Sequence, residues 1–129
     1  MRPWMLPACA ALALAACVSA LSPETTEAED QAELARLEAE ARALVATDGC
    51  TRPGDCRSAP LGAKACGGPR SYVVYCASTT DTVALFRKLE QHRRAEAAFN
   101  QKYGRPSTCD VAMPPQTELA GGTCRARAR

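Results

Sequence analysis

The chain has 129 residues, enough for one small domain and too few for two of ordinary size. Aromatic residues make up only 5% and alanine supplies much of the apolar fraction, which excludes a thick hydrophobic core and calls for covalent reinforcement. Sixteen Lys and Arg against 14 Asp and Glu give a formal charge of +2, a balance that by itself selects neither an acidic nor a basic partner.

The first predicted element is a leader. Arg2 precedes an uncharged stretch from Pro3 to Ala16, whose 14 residues match the apolar region of a secretory signal peptide and fall short of the roughly 20 that span a bilayer. The stretch ends in Leu14-Ala15-Ala16-Cys17. This tetrapeptide resembles the lipobox of bacterial lipoproteins, in which the cysteine sulfur is acylated before cleavage and becomes the new N-terminus. The resemblance implies a signal peptide over residues 1–16 and a lipid anchor of the palmitate type at Cys17. Val18, in place of an aspartate after the cysteine, implies the outer membrane, with the domain facing the periplasm or the cell surface. Several acyl chains hold a protein stably where one binds reversibly, because each buried methylene contributes about 0.8 kcal/mol. Val18-Ser19-Ala20 offers a second cleavage site, and cutting there would release a soluble secreted protein that begins at Leu21.

Residues 17–33 read as a lipid-anchored acidic spacer and helix start, and residues 34–129 as a single cysteine-rich domain. From Glu24 to Glu40 seven acids stand against Arg36 alone, and the first of them, up to about Asp30, accompany no apolar stripe. Ser22-Pro23-Glu24 is one candidate helix start, and Thr26 with Glu29 forms a capping box three residues apart. Leu34, Leu37, Ala41, Leu44 and Val45 recur at helical spacing, and the helix is expected to stop before Gly49.

Cys50 to Cys76 carries the turn dipeptides of a compact region, among them Pro53-Gly54, Pro60-Leu61-Gly62 and Gly67-Gly68-Pro69. Tyr72, Val73, Val74 and Tyr75 predict a central strand over 71–77, with Arg57 to Leu61 as its hairpin arm and Pro60 at an edge. Thr79, Thr80 or Asp81 can cap a second helix that turns Leu85, Phe86, Leu89, Phe99 and Tyr103 inward and ends at Gly104. Arg87, Lys88, Arg93, Arg94 and Lys102 fall on its outer side, diluted by Glu90 and Glu96. Cys109 to Met113 and Thr123 to Arg127 are expected as short strands, with Cys109 and Cys124 a candidate pair. The whole predicts an α+β fold, a small disulfide-stapled domain with two helices and a small antiparallel sheet.

The run Pro60-Leu61-Gly62-Ala63-Lys64-Ala65-Cys66-Gly67-Gly68-Pro69 and the tyrosine-rich strand after it resemble cysteine-rich exported proteins of proteobacteria, a group without an assigned activity. The resemblance covers roughly Cys50 to Cys124 and carries no mechanism with it.

Eight cysteines are present, two of them, Cys9 and Cys17, in the leader. The other six, Cys50, Cys56, Cys66, Cys76, Cys109 and Cys124, are an even set with no Cys-x-x-Cys spacing. In an oxidising compartment they are expected as three disulfides, with no metal and no redox motif. No cofactor is expected: Gly67-Gly68 lacks the lysine and hydroxyl of a phosphate loop. His92, the lone histidine, is the one base that a small hydrolase could use, with Ser71, Ser78 or Ser107 as nucleophile and Asp81 or Asp110 behind it. Its neighbours Arg93 and Arg94 place it on a charged, solvated face. Arg70, presented by the Gly67–Arg70 loop, is the candidate contact of a protease or hydrolase inhibitor. Arg125, Arg127 and Arg129 alternate as one face of a strand would require and could meet an anionic surface. The leading expectation is a non-enzymatic envelope lipoprotein that engages a membrane through its anchor and another envelope component through its domain, and no nucleic acid.

Overall fold

A computed structural model describes residues 24–128. Within them the order is α1 (Glu27–Ala43), a 3-10 turn (Pro53–Asp55), β1 (Cys56–Leu61), β2 (Ser71–Cys76), α2 (Thr82–Tyr103), β3 (Thr117–Ala120) and β4 (Thr123–Ala126). The α+β class is the expected one: two helices, antiparallel strands and three disulfides in a small domain. The strands form two separate hairpins, β1–β2 and β3–β4, rather than one sheet. Ser71 to Cys76 is therefore one arm of a two-stranded ribbon and not a central strand.

α1 begins where local chemistry provides a cap. The Thr26 hydroxyl accepts from the Glu29 amide, and the Glu29 carboxylate accepts from the Thr26 amide at 2.7 Å. The other candidate start, at Ser22 and Pro23, lies outside the described residues, and Glu24 is not helical. α2 is capped by Asp81, whose carboxylate accepts from the Ala84 amide at 2.9 Å, and it ends at Gly104. The two helices lie antiparallel: Glu27 pairs with Arg105, Asp30 with Lys102 and Tyr103, and Glu40 with Lys88. From Glu27 onward the acidic run is thus not a solvated spacer. Asp30 and Glu40 pair with Lys102 and Lys88 of α2 and Glu27 with Arg105 just past it, while Glu29 caps α1 and Glu33 pairs with Arg36 inside it.

The β1–β2 ribbon sits between the helices and the second hairpin. Strand alternation sends Ala59, Leu61, Val73 and Tyr75 to the helix side, where they pack with Ala41, Leu85 and Leu89. Cys56, Val74 and Cys76 point the opposite way and meet Cys50, Leu119 and Cys124. On α2 the buried side chains are Leu85, Leu89, His92 and Phe99. Two expectations fail here. Phe86 is 46% exposed, its ring edge-on to Tyr75 at 6.0 Å between centroids, and His92 is buried at 1% exposure. The helical phase explains both, since His92 is three residues past Leu89 on the inward stripe and Phe86 is one residue past Leu85, off it.

Cys109 to Met113 forms no regular strand. The partner of β4 instead begins at Thr117, beyond Pro114 and Pro115, which have no amide hydrogen to donate. β3 turns into β4 through Gly121 and Gly122, at φ 59° and 82°, the positive angles that a two-residue hairpin turn demands.

The disulfides are Cys50–Cys76, Cys56–Cys124 and Cys66–Cys109. Cys124 does not bond to Cys109. β4 is held against the residues before Cys50, with the Cys124 amide donating to Thr47 at 2.8 Å, and this brings its sulfur to β1. The bridged residues are 26, 68 and 43 positions apart, and a bridge over such loops stabilises by about 3 to 5 kcal/mol in the chain-entropy account.

Two outcomes follow from this packing. Cys66 and Cys109 are exposed while the other four cysteines are buried, so stepwise reduction with alkylation and mass mapping should label Cys66 and Cys109 well before the rest. Simultaneous labelling of all six would contradict the burial. Acid stability offers the second. Hydrogen bonds from Lys102, then Thr25 and Tyr103, lower the Asp30 carboxyl from 3.8 to about 2. Its stabilisation is complete above the unfolded value and disappears as pH falls from about 4 to about 2. Asp30→Asn should lower the urea midpoint at pH 7 and flatten the wild-type decline across that window; a parallel decline in both proteins would remove Asp30 from the account.

Candidate functional site

The loop between β1 and β2 is fastened to α2 at several points. Glu96 accepts the Ala63 amide on one carboxylate oxygen at 2.7 Å and Arg70 Nε on the other at 2.8 Å. Asn100, one turn on, donates to the Ala63 carbonyl at 2.8 Å. Arg70 also donates to Glu38 of α1 at 2.6 Å, so a single guanidinium joins both helices to the loop. At the far side Lys64 pairs with Asp110 at 2.9 Å, and Cys66–Cys109 closes the same span covalently. Within the loop, Lys64 donates its amide to Gly68 and accepts from Gly67, both at 3.0 Å.

Gly62 makes this closure possible. Its φ is +79°, and a Cβ there would lie 2.2 Å from a Glu96 carboxylate oxygen and 3.2 Å from Arg70 Cβ.

Fixed in this way, the loop stands off α2 and leaves an open cleft of about 470 Å³. Pro60, Gly62, Ala63, Gly67, Gly68 and Pro69 form the loop wall. Phe86, Leu89, Glu90, Arg93 and Ala97 form the helix wall, a stripe at three- and four-residue spacing beside the buried one. The walls are mainly apolar; the charged lining groups are Lys64 on the loop side, paired with Asp110, and Glu90 and Arg93 on the helix side. The volume falls within the roughly 300–1,000 Å³ usual for small-molecule sites.

The residues singled out from the sequence fall in different places. Arg70 borders the cleft loop, but Glu38 and Glu96 hold its guanidinium within the domain. The Arg70 side chain is 41% exposed, and its guanidinium, the group that the inhibitor expectation for the Gly67–Arg70 loop would present, is paired within the domain. Burial pushes the Glu38 carboxyl up, yet hydrogen bonds from Arg42 and Arg70 outweigh it and leave the carboxyl below its ordinary value. Arg125 lies on β4 and Arg127 just past its end, and the two converge on Glu118, at 2.7 and 3.4 Å. Arg129 and the lipidation candidate Cys17 lie outside the described residues.

His92 Nε2 is 3.8 Å from Glu38, beyond hydrogen-bond range, and Nδ1 has no partner. Among the described residues no hydroxyl or thiol bonds to this imidazole. Asp81 is the α2 cap, Asp110 pairs with Lys64, and Ser78 contacts Cys76 sulfur at 3.1 Å. The nucleophile–base pair that a hydrolase requires is not assembled around His92. The sulfurs of Cys50, Cys76 and Cys124 lie within 4.8 Å of one another, but they belong to two adjacent disulfides, and a metal binds thiolates.

No protein-family model, no curated protein and no solved structure matches the chain. Among the described residues no helix is long and apolar enough to cross a membrane.

Sequence reasoning did not find the cleft. The one available signal was the Phe86, Glu90, Arg93 and Ala97 stripe, a second helical face with apolar members at its ends; the loop that covers it depends on Glu96 and Asn100 reaching a backbone 33 and 37 residues away. Gly62→Ala should displace the Glu96 carboxylate and strain the backbone, with a cost of about 1 to 3 kcal/mol in urea unfolding. A change below the error of that measurement would mean that the clamp tolerates the added methyl group.

Proposed function

We propose that the chain is a non-enzymatic, exported lipoprotein whose disulfide-stapled domain works by binding, with the cleft between the 62–69 loop and α2 as its contact site. The observation that carries the binding role is the fastening of the cleft: Glu96, Asn100, Arg70 and the Cys66–Cys109 bridge hold its walls through contacts within the domain, and so reduce the ordering cost of capture. The lipobox-like Leu14-Ala15-Ala16-Cys17 supports the anchor, and three disulfides support an oxidising compartment outside the cytoplasm. By resemblance in lipoprotein sorting, Val18 favours the outer membrane.

The test is intact mass measurement of membrane-extracted protein expressed from the whole gene in a Gram-negative host. An acylated N-terminus at Cys17 is expected, and Cys17→Ala should move the protein from the membrane to the soluble fraction. An unmodified chain beginning at Leu21 would overturn the anchor and make the protein a soluble secreted one.

A further inference from the structure

The cleft has an apolar body and a positively charged end. Pro60, Pro69, Phe86 and Leu89 line the body, and Phe86 keeps its place at the mouth by its edge-on contact with Tyr75. At the rim Glu90 accepts from Arg93 at 2.6 and 2.8 Å and from Arg94 at 2.7 Å. The hydrogen bonds from Arg93 and then Arg94 lower the Glu90 carboxyl to about 2. Two guanidinium groups on one carboxylate leave an excess positive charge. Each guanidinium has five N–H donors, and Glu90 occupies only some of them.

The excess grows toward the start of α2. Glu90 is shared with an adjoining depression lined by Arg87, Gln91 and Arg94, and Arg87 has no carboxylate within ion-pair distance among the described residues. Arg93 and Arg94 are 50% and 76% exposed, so an incoming anion reaches them without entering the core.

We propose that the cleft takes a small anionic amphiphile: one unbranched apolar chain laid between Pro69 and Leu89, with its single acid group on the guanidinium groups of Arg93 and Arg94. The proposal rests on the binding role above and names its ligand class. The volume and concavity favour a free small acid over a protein segment, since a stable protein interface covers about 1,200 Å² or more and is not gathered into one pocket. They also favour it over a bilayer, which presents no single chain to a recess. A sugar would leave its hydroxyl groups unpaired against the apolar walls. A cationic amphiphile would meet Arg87, Arg93 and Arg94 with the wrong sign.

The test uses the full exported protein with its disulfides intact and dodecanoate as probe, below its critical micelle concentration. Dodecylammonium is the charge-reversed control, and both are read by calorimetry. Dodecanoate should bind at least about tenfold more tightly, and the preference should weaken as salt rises. Arg93→Glu should reverse the preference between the two probes. Ala97→Trp fills the recess from an exposed helix position and should abolish binding of both, with thermal unfolding unchanged. Equal affinity for the two probes would overturn the anion claim, and undiminished binding to Ala97→Trp would place the probe elsewhere. If phosphatidylglycerol vesicles bind and dodecanoate does not, the face contacts membranes and the proposal fails. If neither binds, the ligand class fails, while the anchoring reading is decided separately by the mass of the extracted protein.

Discussion

Cys56 and Cys76 stand directly opposite each other across β1 and β2, yet each bonds away from the ribbon. Cys76 reaches Cys50 in the segment that follows α1, and Cys56 reaches Cys124 in β4. The far face of the ribbon is thereby joined at one spot to the first helix and to the last hairpin. Backbone bonds reinforce the junction: residues before Cys50 accept from the Cys76 and Cys124 amides at 2.7 and 2.8 Å, and the Cys50 amide donates to Gly122 at 3.0 Å. With the lower side secured by sulfur, a few aliphatic residues on the upper side suffice to seat the helices.

The helices in turn decide where the cleft forms. Glu96 and Asn100 meet the loop only because the Leu85, Leu89, His92 and Phe99 stripe fixes the rotation of α2. Glu38 on α1 then completes the coordination of Arg70. An arginine positioned by two carboxylates from two helices behaves as a fastening, and the excess positive charge beside the cleft lies on another face of α2, where Arg93 and Arg94 share Glu90 and Arg87 has no acidic partner among the described residues.

What was legible in the sequence was local. The Thr26–Glu29 capping box, the Asp81 cap, the Gly104 stop and the pairing of Arg57–Leu61 with the tyrosine-rich strand all depend on residues close together in the chain, and all are found. The disulfide partners were not legible. Cys109 and Cys124 are near in sequence, but the two prolines between them delay the strand, and each cysteine bonds to a residue 43 or 68 positions away. His92 shows a different failure: its charged neighbours suggested an outward face, while the spacing from Leu85 and Leu89 placed it inward, and packing followed the spacing. The cleft required both helices and the loop at once, which no window of sequence contains.

The disulfides are interleaved, with Cys56–Cys124 and Cys66–Cys109 both opening before Cys50–Cys76 has closed. Any single peptide bond cut between Cys50 and Cys124 therefore leaves at least one bridge spanning the break. A protease that nicks the irregular, exposed stretch after α2 makes two chains but not two molecules, and the helices, ribbon and final hairpin stay in register. Such a topology converts a cut from a loss of the domain into a local scar.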